Sequence, residues 1–155
     1  MKIINIYSKG KYPADALSNF APHAFDFDGV TGIPCMEAFL QSLKFKDESE
    51  QQKVLQMSGK EAKNAGTEQG WSRTLFWKGR SIDRFSKEYT ELVERAYRAM
   101  LQNESFRAAL DASRGCLLLH TIGKTLRKNT ILTWWEFVGA LYRIRKEETK
   151  LQLKK

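Results

Sequence analysis

The chain has 155 residues, 42% of them hydrophobic, which is typical of one folded domain and excludes a disordered chain. Its 26 Lys and Arg residues outnumber its 18 Asp and Glu residues, and the net charge of +8 favours an anionic partner such as a nucleotide, a phosphorylated sugar or a nucleic acid. No apolar run approaches the roughly 18 residues of a membrane helix, and the N-terminal sequence lacks the apolar stretch of a signal peptide, so we expect a cytoplasmic protein with no membrane partner.

Cysteine and histidine are too scarce to indicate a metal centre. Cys35 and Cys116 show no C-x-x-C spacing, and His23 and His120 lie far apart in the sequence. Reduced, partly buried thiols are therefore expected. We predict that the protein uses neither a metal nor another cofactor.

Two short strands and three helices are predicted in the N-terminal half. KIINIYS, residues 2–8, alternates apolar and polar residues as a strand does, and HAFDFDGV, residues 23–30, indicates a second strand that ends in an Asp-Gly turn. Helices are predicted over residues 36–46 and 49–57. A third is predicted in SGKEAKNAG, residues 58–66, with a serine cap at its start and a glycine at its end.

The C-terminal half is predicted to be mostly helical. Residues 67–82 are expected to form a loop, whereas residues 86–101 carry the clearest helical stripe of the chain. Asn103 is expected to cap a short helix, CLLLH to form a short buried strand, and TWWE, with its capping-box spacing, to begin the last helix. We therefore expect a single α+β domain, mostly helical with a few short strands, over residues 1–146, followed by a basic tail over residues 147–155.

The predicted helix in PCMEAFLQSLKF has two faces. Met36, Phe39, Leu40 and Leu43 recur at the spacing of a core-facing stripe. Glu37, Gln41 and Lys44 recur at i, i+4, i+7 and so share the other side. That polar row is either a solvent-exposed stripe with a stabilising Glu–Lys pair or the floor of a site in which a carboxylate and an amine perform acid–base chemistry.

The loop LSNFAPHAF offers groups that suit a nucleobase. The Asn19 carboxamide both donates and accepts hydrogen bonds, and Phe20, next to Ser18, offers a ring face. An Asx-turn with a buried phenylalanine explains the same residues without a ligand.

The segment LHTIGKTLRKNTILTWWEF contains candidate phosphate ligands between a strand and a capped helix. Lys124 and nearby backbone amides can bind phosphate there, and His120 lies at the start of the segment. The P-loop pattern is absent. A surface loop with ordinary basic residues is the alternative.

Taken in order, S-N-F, then P-x-x-E-x-x-x-Q-x-x-K-F and then EAKNAG resemble the NADAR superfamily over roughly residues 15–145. The usual pattern of that family is S-N-F, E-x-x-x-Q-x-x-K-F and A-[KR]-x-x-G. The resemblance implies a compact, helix-rich α+β fold and an N-glycosidase that cleaves the bond between a ribose and a base-like group. Its implied substrates are early riboflavin intermediates carrying a ribose phosphate, or ADP-ribose attached to guanine in nucleic acid.

The segment over residues 119–130 departs from the family pattern. Many members carry an acidic residue and then D-x-x-W-G there, whereas this chain has His120 in place of the acid and lacks the Asp and the Trp-Gly. The chain therefore resembles a divergent branch of the family.

The implied reaction gives each candidate residue an expected role, and the resemblance itself suggests the Schiff-base role of Lys44. Glu37 is expected to stabilise the positive charge that develops on the ribose or to activate water. Lys44 is expected to contact the leaving group or to capture an opened ribose as a Schiff base. The remaining candidates bind the substrate: Ser18, Asn19, Phe20, Gln41 and His120, with Trp71 or Trp77 stacking on the base and Lys60, Lys63, Arg84 and Lys124 binding phosphate.

Two other functions remain open at this point. One is a divergent member that binds ADP-ribose or NAD in the same pocket without turning it over, and the other is general nucleic-acid binding through the positive charge. The first predicts ligand binding without release of free base. The second predicts a steep salt dependence of binding to any DNA. The oligomeric state is not predicted.

Overall fold

The computed structural model describes residues 2–154, which form six strands and six α-helices. The strands are β1 (Ile3–Asn5), β2 (Phe25–Phe27), β3 (Val30–Ile33), β4 (Thr74–Trp77), β5 (Arg80–Asp83) and β6 (Leu117–Leu119). The helices are α1 (Met36–Ser42), α2 (Glu48–Val54), α3 (Gly59–Gln69), α4 (Lys87–Met100), α5 (Glu104–Ala112) and α6 (Trp134–Leu153). The predicted α+β class, mostly helical in a single domain, is confirmed.

The strands form three separate pairs rather than one sheet. β1 and β6 are parallel, with Ile4 opposite Leu118, so the pair joins the N-terminal segment to the segment between α5 and α6. β2–β3 and β4–β5 are antiparallel hairpins. Each hairpin turns on a non-glycine residue with positive φ followed by glycine, a turn geometry that matches the twist of the strands. The first of these turns is the predicted Asp-Gly turn at Asp28 and Gly29.

Five of the six α-helices of residues 2–154 begin at a side-chain cap, and α1 is the exception. The Ser58 and Thr133 hydroxyls accept from the backbone N–H of the residue three positions on, and both positions form complete capping boxes. Asn103 caps α5 as predicted, accepting from two backbone N–H groups of the first turn. Caps of this kind satisfy donors that the helix itself leaves unpaired, and therefore fix where each helix starts.

α1 lies at the centre of the molecule, and all seven of its residues are buried. The predicted core stripe of Met36, Phe39, Leu40 and Leu43 is confirmed, since each of these side chains is at most 1% exposed. α2, α3 and α4 pack around this helix. A helix buried on every side places its polar residues inside the protein, so Glu37 and Gln41 do not belong to a solvent-exposed stripe.

Three local predictions differ from the structure. Residues 67–82 do not form a loop, because the last turn of α3, strand β4 and the start of β5 occupy much of this range. α3 does not end at Gly66 but runs to Gln69 and ends at Gly70, which has a φ of 88°. The helix predicted over residues 36–46 ends at Ser42. Residues 147–153 of the predicted basic tail are part of α6. Over residues 2–154, no helix is long and apolar enough to cross a bilayer.

Candidate active site

A cavity of about 500 Å³ opens beside the polar face of α1. α1 contributes the Glu37 and Gln41 side chains, Lys44 follows in the turn just after α1, and the 18–20 loop lies next to them. One wall comes from α3 and the residues just after it, and another from residues 120–132, between β6 and α6. The cavity volume lies within the range of about 300–1,000 Å³ that is usual for small-molecule sites.

Glu37 is a buried carboxylate at this cavity. Its residue is 6% exposed, its Oε1 accepts a hydrogen bond from Gln41 Nε2 at 2.7 Å, and its backbone N–H donates to the Asn19 carbonyl at 3.0 Å. Burial raises the pKa of Glu37, while the Gln41 hydrogen bond and the Lys63 and Lys44 ammonium groups act in the opposite direction. A buried carboxyl with a perturbed pKa in a cavity is a candidate catalytic group.

Gln41 orients Glu37 through its Nε2, and its Oε1 is available to a molecule in the cavity. Its side chain is almost fully buried, and its Oε1 has no hydrogen-bond partner within residues 2–154. Because a buried acceptor without a donor is costly, a water or a ligand hydroxyl in the cavity is the natural partner of this oxygen. Gly66 of α3 makes this arrangement possible, since a Cβ on it would lie only 1.7 Å from Gln41 Oε1.

Gly66→Ala is expected to destabilise the fold by about 1–3 kcal/mol, because the added methyl displaces the buried Gln41 side chain. Gly139→Ala is the matched control, because Gly139 also lies in a helix and a Cβ there meets only the flexible end of Arg143. The control is expected to leave stability unchanged or to raise it by up to about 1 kcal/mol. Urea unfolding of both variants checks this, and equal effects would mean that the α1–α3 contact tolerates a larger residue.

Three lysines, Lys44, Lys63 and Lys124, line the same cavity as the buried carboxylate. Lys44 Nζ donates to the Gly66 carbonyl at 3.2 Å. Burial lowers the pKa of Lys44, and the neighbouring Lys63 and Lys124 ammonium groups lower it further, whereas Glu37 opposes the change. Within residues 2–154, none of these lysines forms an ion pair. The cavity therefore holds an excess of positive charge that a phosphorylated ligand would neutralise.

The 18–20 loop presents an amide and a ring to the cavity. Asn19 Oδ1 accepts from the Tyr97 hydroxyl at 2.7 Å, which leaves the Asn19 NH₂ group as the donor available to a ligand. Ser18 Oγ accepts from the backbone N–H of Phe20, and the Phe20 ring is partly exposed. Trp71, after α3, also lines the cavity and is 41% exposed. Two accessible aromatic rings at one cavity suit a flat base.

Residues 120–132 bring His120 and Lys124 to the cavity. His120 Nδ1 lies 2.8 Å from the Ile6 carbonyl, and Lys124 Nζ donates to the Asn129 carbonyl at 3.5 Å. Other residues at the cavity were not predicted as site residues; among them are Ser8, Gly66, Thr67, Gly70 and Ile122. Gly66 is the one with a sequence signal, because it is the glycine of the EAKNAG motif.

Three predicted site residues lie outside the cavity. Trp77 is buried in the core between Phe27 and Phe39, and its Nε1 donates to Asp28. Arg84 is 1% exposed, and its guanidinium is held inside the protein by Glu136. Lys60 is exposed one helical turn before Lys63, nearer the start of α3, and does not reach the cavity. The structure therefore places Trp77, Arg84 and Lys60 away from this cavity, and Trp71 is the one of the two candidate tryptophans that lines it.

Comparisons with known proteins give relatives over nearly the whole chain. Residues 11–146 match the family described as bacteriophage protein GP30.3. The chain is 39% identical over 150 residues to an uncharacterized 17.1 kDa protein in the Gp30–rIII intergenic region of Enterobacteria phage T4, covering 94% of this chain and 98% of that relative. The NMR structure of the E. coli protein YbiA has a similar fold, with a TM-score of 0.70 and 22% identity, covering 99% of this chain and 89% of YbiA.

Proposed function

The chain belongs to the bacteriophage GP30.3 family and is a member of the NADAR superfamily, and on this basis we propose that it is an N-glycosidase. The proposed reaction is hydrolysis of the C–N bond between a phosphorylated ribose, or an ADP-ribose, and a base. Candidate substrates are an early riboflavin intermediate and ADP-ribosylated guanine in nucleic acid.

The observation that carries the proposal is one buried carboxylate, Glu37, in a cavity with three lysines that form no ion pair within residues 2–154. Breaking the C–N bond develops positive charge on C1′ and negative charge on the departing base. The Glu37 carboxylate would stabilise the first charge, and the Lys44 ammonium would stabilise the second. A low-dielectric site strengthens both interactions compared with the same groups in water.

The cavity walls suggest how the rest of the substrate is held. Lys63 and Lys124 would bind phosphate oxygens, and the Asn19 NH₂ group would donate to the base edge or the ribose. Phe20 and Trp71 would stack on the base, an interaction worth about 1–3 kcal/mol per base that tolerates different bases. Two unpaired lysines for phosphate and two rings for a base together favour a nucleotide-like ligand over a simple sugar.

A second, open groove of about 560 Å³ supports the nucleic-acid form of the substrate. It adjoins the cavity, because Ile122 lines both, and it is lined by Lys2, Lys11, Tyr7 and Tyr12. Tyr12 is 60% exposed, and neither lysine forms an ion pair within residues 2–154. Exposed aromatic rings beside lysines are the features with which proteins bind unpaired strands.

Release of free base from ribosylated substrates tests the proposal. We expect release from an ADP-ribosyl-guanine oligonucleotide or from a ribosylamino-pyrimidine phosphate, measured by chromatography and mass spectrometry. Turnover of the oligonucleotide, but not of the small phosphate, should weaken steeply with salt.

Lys63→Ala should weaken binding about tenfold or more, through loss of a charged hydrogen bond.

Lys60→Ala is the matched control, because it removes the same charge one turn away on α3 but outside the cavity. It is expected to leave small-substrate binding unchanged. A protein that binds ADP-ribose tightly yet releases no base from any of these substrates would instead be a binding module.

A further inference from the structure

The His120 ring is held in one position at the edge of the cavity. Its Nδ1 is 2.8 Å from the Ile6 carbonyl oxygen, and its ring meets the Phe137 ring edge-on at 5.2 Å between centroids. Gly123 leaves room for the ring, since a Cβ on it would lie 2.7 Å from His120 Cδ2. A hydrogen bond and a ring contact, together with the space left at Gly123, therefore fix the orientation of one imidazole.

The contact with Ile6 decides which ring nitrogen carries the proton. A carbonyl oxygen only accepts hydrogen bonds, so Nδ1 must be the donor and the neutral ring carries its lone pair on Nε2. Within residues 2–154, His120 Nε2 has no hydrogen-bond partner, and the residue lines the cavity.

His23 shows the opposite arrangement and serves as an internal reference. Its Nε2 lies 2.6 Å from the Ala16 carbonyl, and its Nδ1 lies 2.6 Å from Ser105 Oγ, so both nitrogens are occupied. By the same reasoning the neutral His23 ring carries its proton on Nε2. Of these two rings, the one at the cavity is the one with a nitrogen available for proton transfer.

We propose that His120 is the general base of the glycosidase reaction and takes a proton from the attacking water through Nε2. This inference rests on the proposed function. The water oxygen bonds to C1′ while one of its protons passes to His120 Nε2. The electron pair of the broken C1′–N bond stays on the departing nitrogen, which takes a proton from Lys44 Nζ. Exchange with solvent then returns the proton from His120 and recharges Lys44.

The assignment gives each charged group of the cavity one task. Glu37 is then free to remain ionised opposite C1′, and Lys63 and Lys124 to bind phosphate. The residues that contact the ring on its other sides, Ile6 and Phe137, carry no charge. A positioned general base contributes about 10²–10⁴-fold to the rate of such a step.

The ring tautomer provides a test that does not need turnover. The chain has two histidines, so ¹⁵N NMR at mildly alkaline pH should show one Nδ1–H ring and one Nε2–H ring. The Nδ1–H signals should disappear in His120→Asn, and the His120 Nε2 signal should shift when ribose 5-phosphate is added. An Nε2–H tautomer for His120, or no shift with a ribose 5-phosphate that binds, would overturn the proposal.

Kinetics of the same variant separate a general base from a structural residue. The asparagine carboxamide can still donate to Ile6, so His120→Asn should fold and bind ribose 5-phosphate normally while kcat falls by about 10²–10⁴-fold and the histidine limb of its pH profile disappears. His23→Gln, which keeps a donor for Ala16, should turn over at the wild-type rate. Wild-type kcat and pH profile in His120→Asn would overturn this assignment alone, whereas no turnover by the wild type would overturn the proposed function as well.

Discussion

Glu37→Gln is expected to bind ADP-ribose or ribose 5-phosphate with nearly wild-type affinity and to lose about 10²–10³-fold in turnover. Glutamine keeps the size of the side chain and can still accept the 2.7 Å hydrogen bond from Gln41. It lacks the negative charge that opposes the positive charge building on C1′. Because the bound substrate carries no full charge on that carbon, the loss should fall on the transition state and not on binding.

The same variant should become more stable than the wild type as the pH rises. Burial raises the pKa of Glu37 in the folded state, so the unfolded chain releases this proton first. Wild-type stability therefore falls as the pH rises from the unfolded pKa through the folded pKa, and a glutamine does not titrate. The melting temperature of Glu37→Gln should exceed that of the wild type at neutral pH and approach it in acid.

The two measurements distinguish a catalytic carboxylate from a structural one. If Glu37 serves catalysis at a cost in stability, Glu37→Gln should turn over more slowly than the wild type and should also be more stable. Free base released under saturating substrate at the wild-type rate would remove Glu37 from the mechanism. Lower stability of Glu37→Gln at neutral pH would show that the carboxylate supports the fold.

The sequence predicted that Glu37, Gln41 and Lys44 lie together because they are close in the chain and spaced by the helical period. The apolar stripe of Met36, Phe39 and Leu40 fixed which side of α1 faces the core, and Glu37 and Gln41 lie on another side of this helix, with Lys44 in the turn just after it. Periodicity alone could not show that this other side is also buried. That outcome depends on α3 approaching closely at Gly66, a tertiary contact that no local pattern encodes.

The sequence did not reveal that Trp77 lies in the core, because the β4–β5 hairpin that contains it was expected to be a loop. The turn between β4 and β5 uses Lys78 with a φ of 51°, followed by Gly79, and lysine is a weak signal for such a turn compared with asparagine or aspartate. Once residues 74–77 are a strand, alternation directs Leu75 and Trp77 into the core and leaves Phe76 on the other face.

Arg84 was predicted to bind phosphate because the sequence does not reveal its ion-pair partner. Glu136 is 52 residues away, in the first turn of α6, and its own capping-box pattern predicted a contact with Thr133 alone. The carboxylate makes both contacts, and the Arg84 hydrogen bond and Thr133 hold its pKa below the ordinary value despite burial. A long-range ion pair of this kind is visible only in the folded structure.

Arg84→Met is expected to destabilise the protein by about 3–5 kcal/mol, the cost of leaving one partner of a buried ion pair uncompensated. Arg84 donates to the two Glu136 carboxylate oxygens at 2.6 and 3.1 Å and, through Nε, to the Thr130 carbonyl at 3.0 Å. Methionine fills a similar volume but satisfies none of these acceptors. Thr130 lines the cavity, so we also expect weaker ligand binding in the folded variant.

Arg73→Met is the matched control, because Arg73 flanks the same hairpin and its carbonyl accepts the Arg84 backbone N–H. Its pair with Asp83 is exposed, and exposed pairs contribute little to stability. Urea unfolding should therefore show a large loss for Arg84→Met and almost none for Arg73→Met. Equal losses would show that Arg84 acts through its position beside the hairpin and not through Glu136.

Arg84→Met combined with Glu136→Gln identifies the cause of that loss. Glutamine at position 136 keeps an oxygen that can accept from the Thr133 N–H, as Glu136 Oε1 does at 2.8 Å, but it leaves no buried charge without its partner. If the uncompensated carboxylate is the main cost, the double variant should be more stable than Arg84→Met alone, although it lacks one more native group. If the lost donors to Thr130 and Glu136 dominate instead, the second substitution should restore none of the lost stability. The cavity wall formed by residues 130–132 should then remain equally perturbed in both variants.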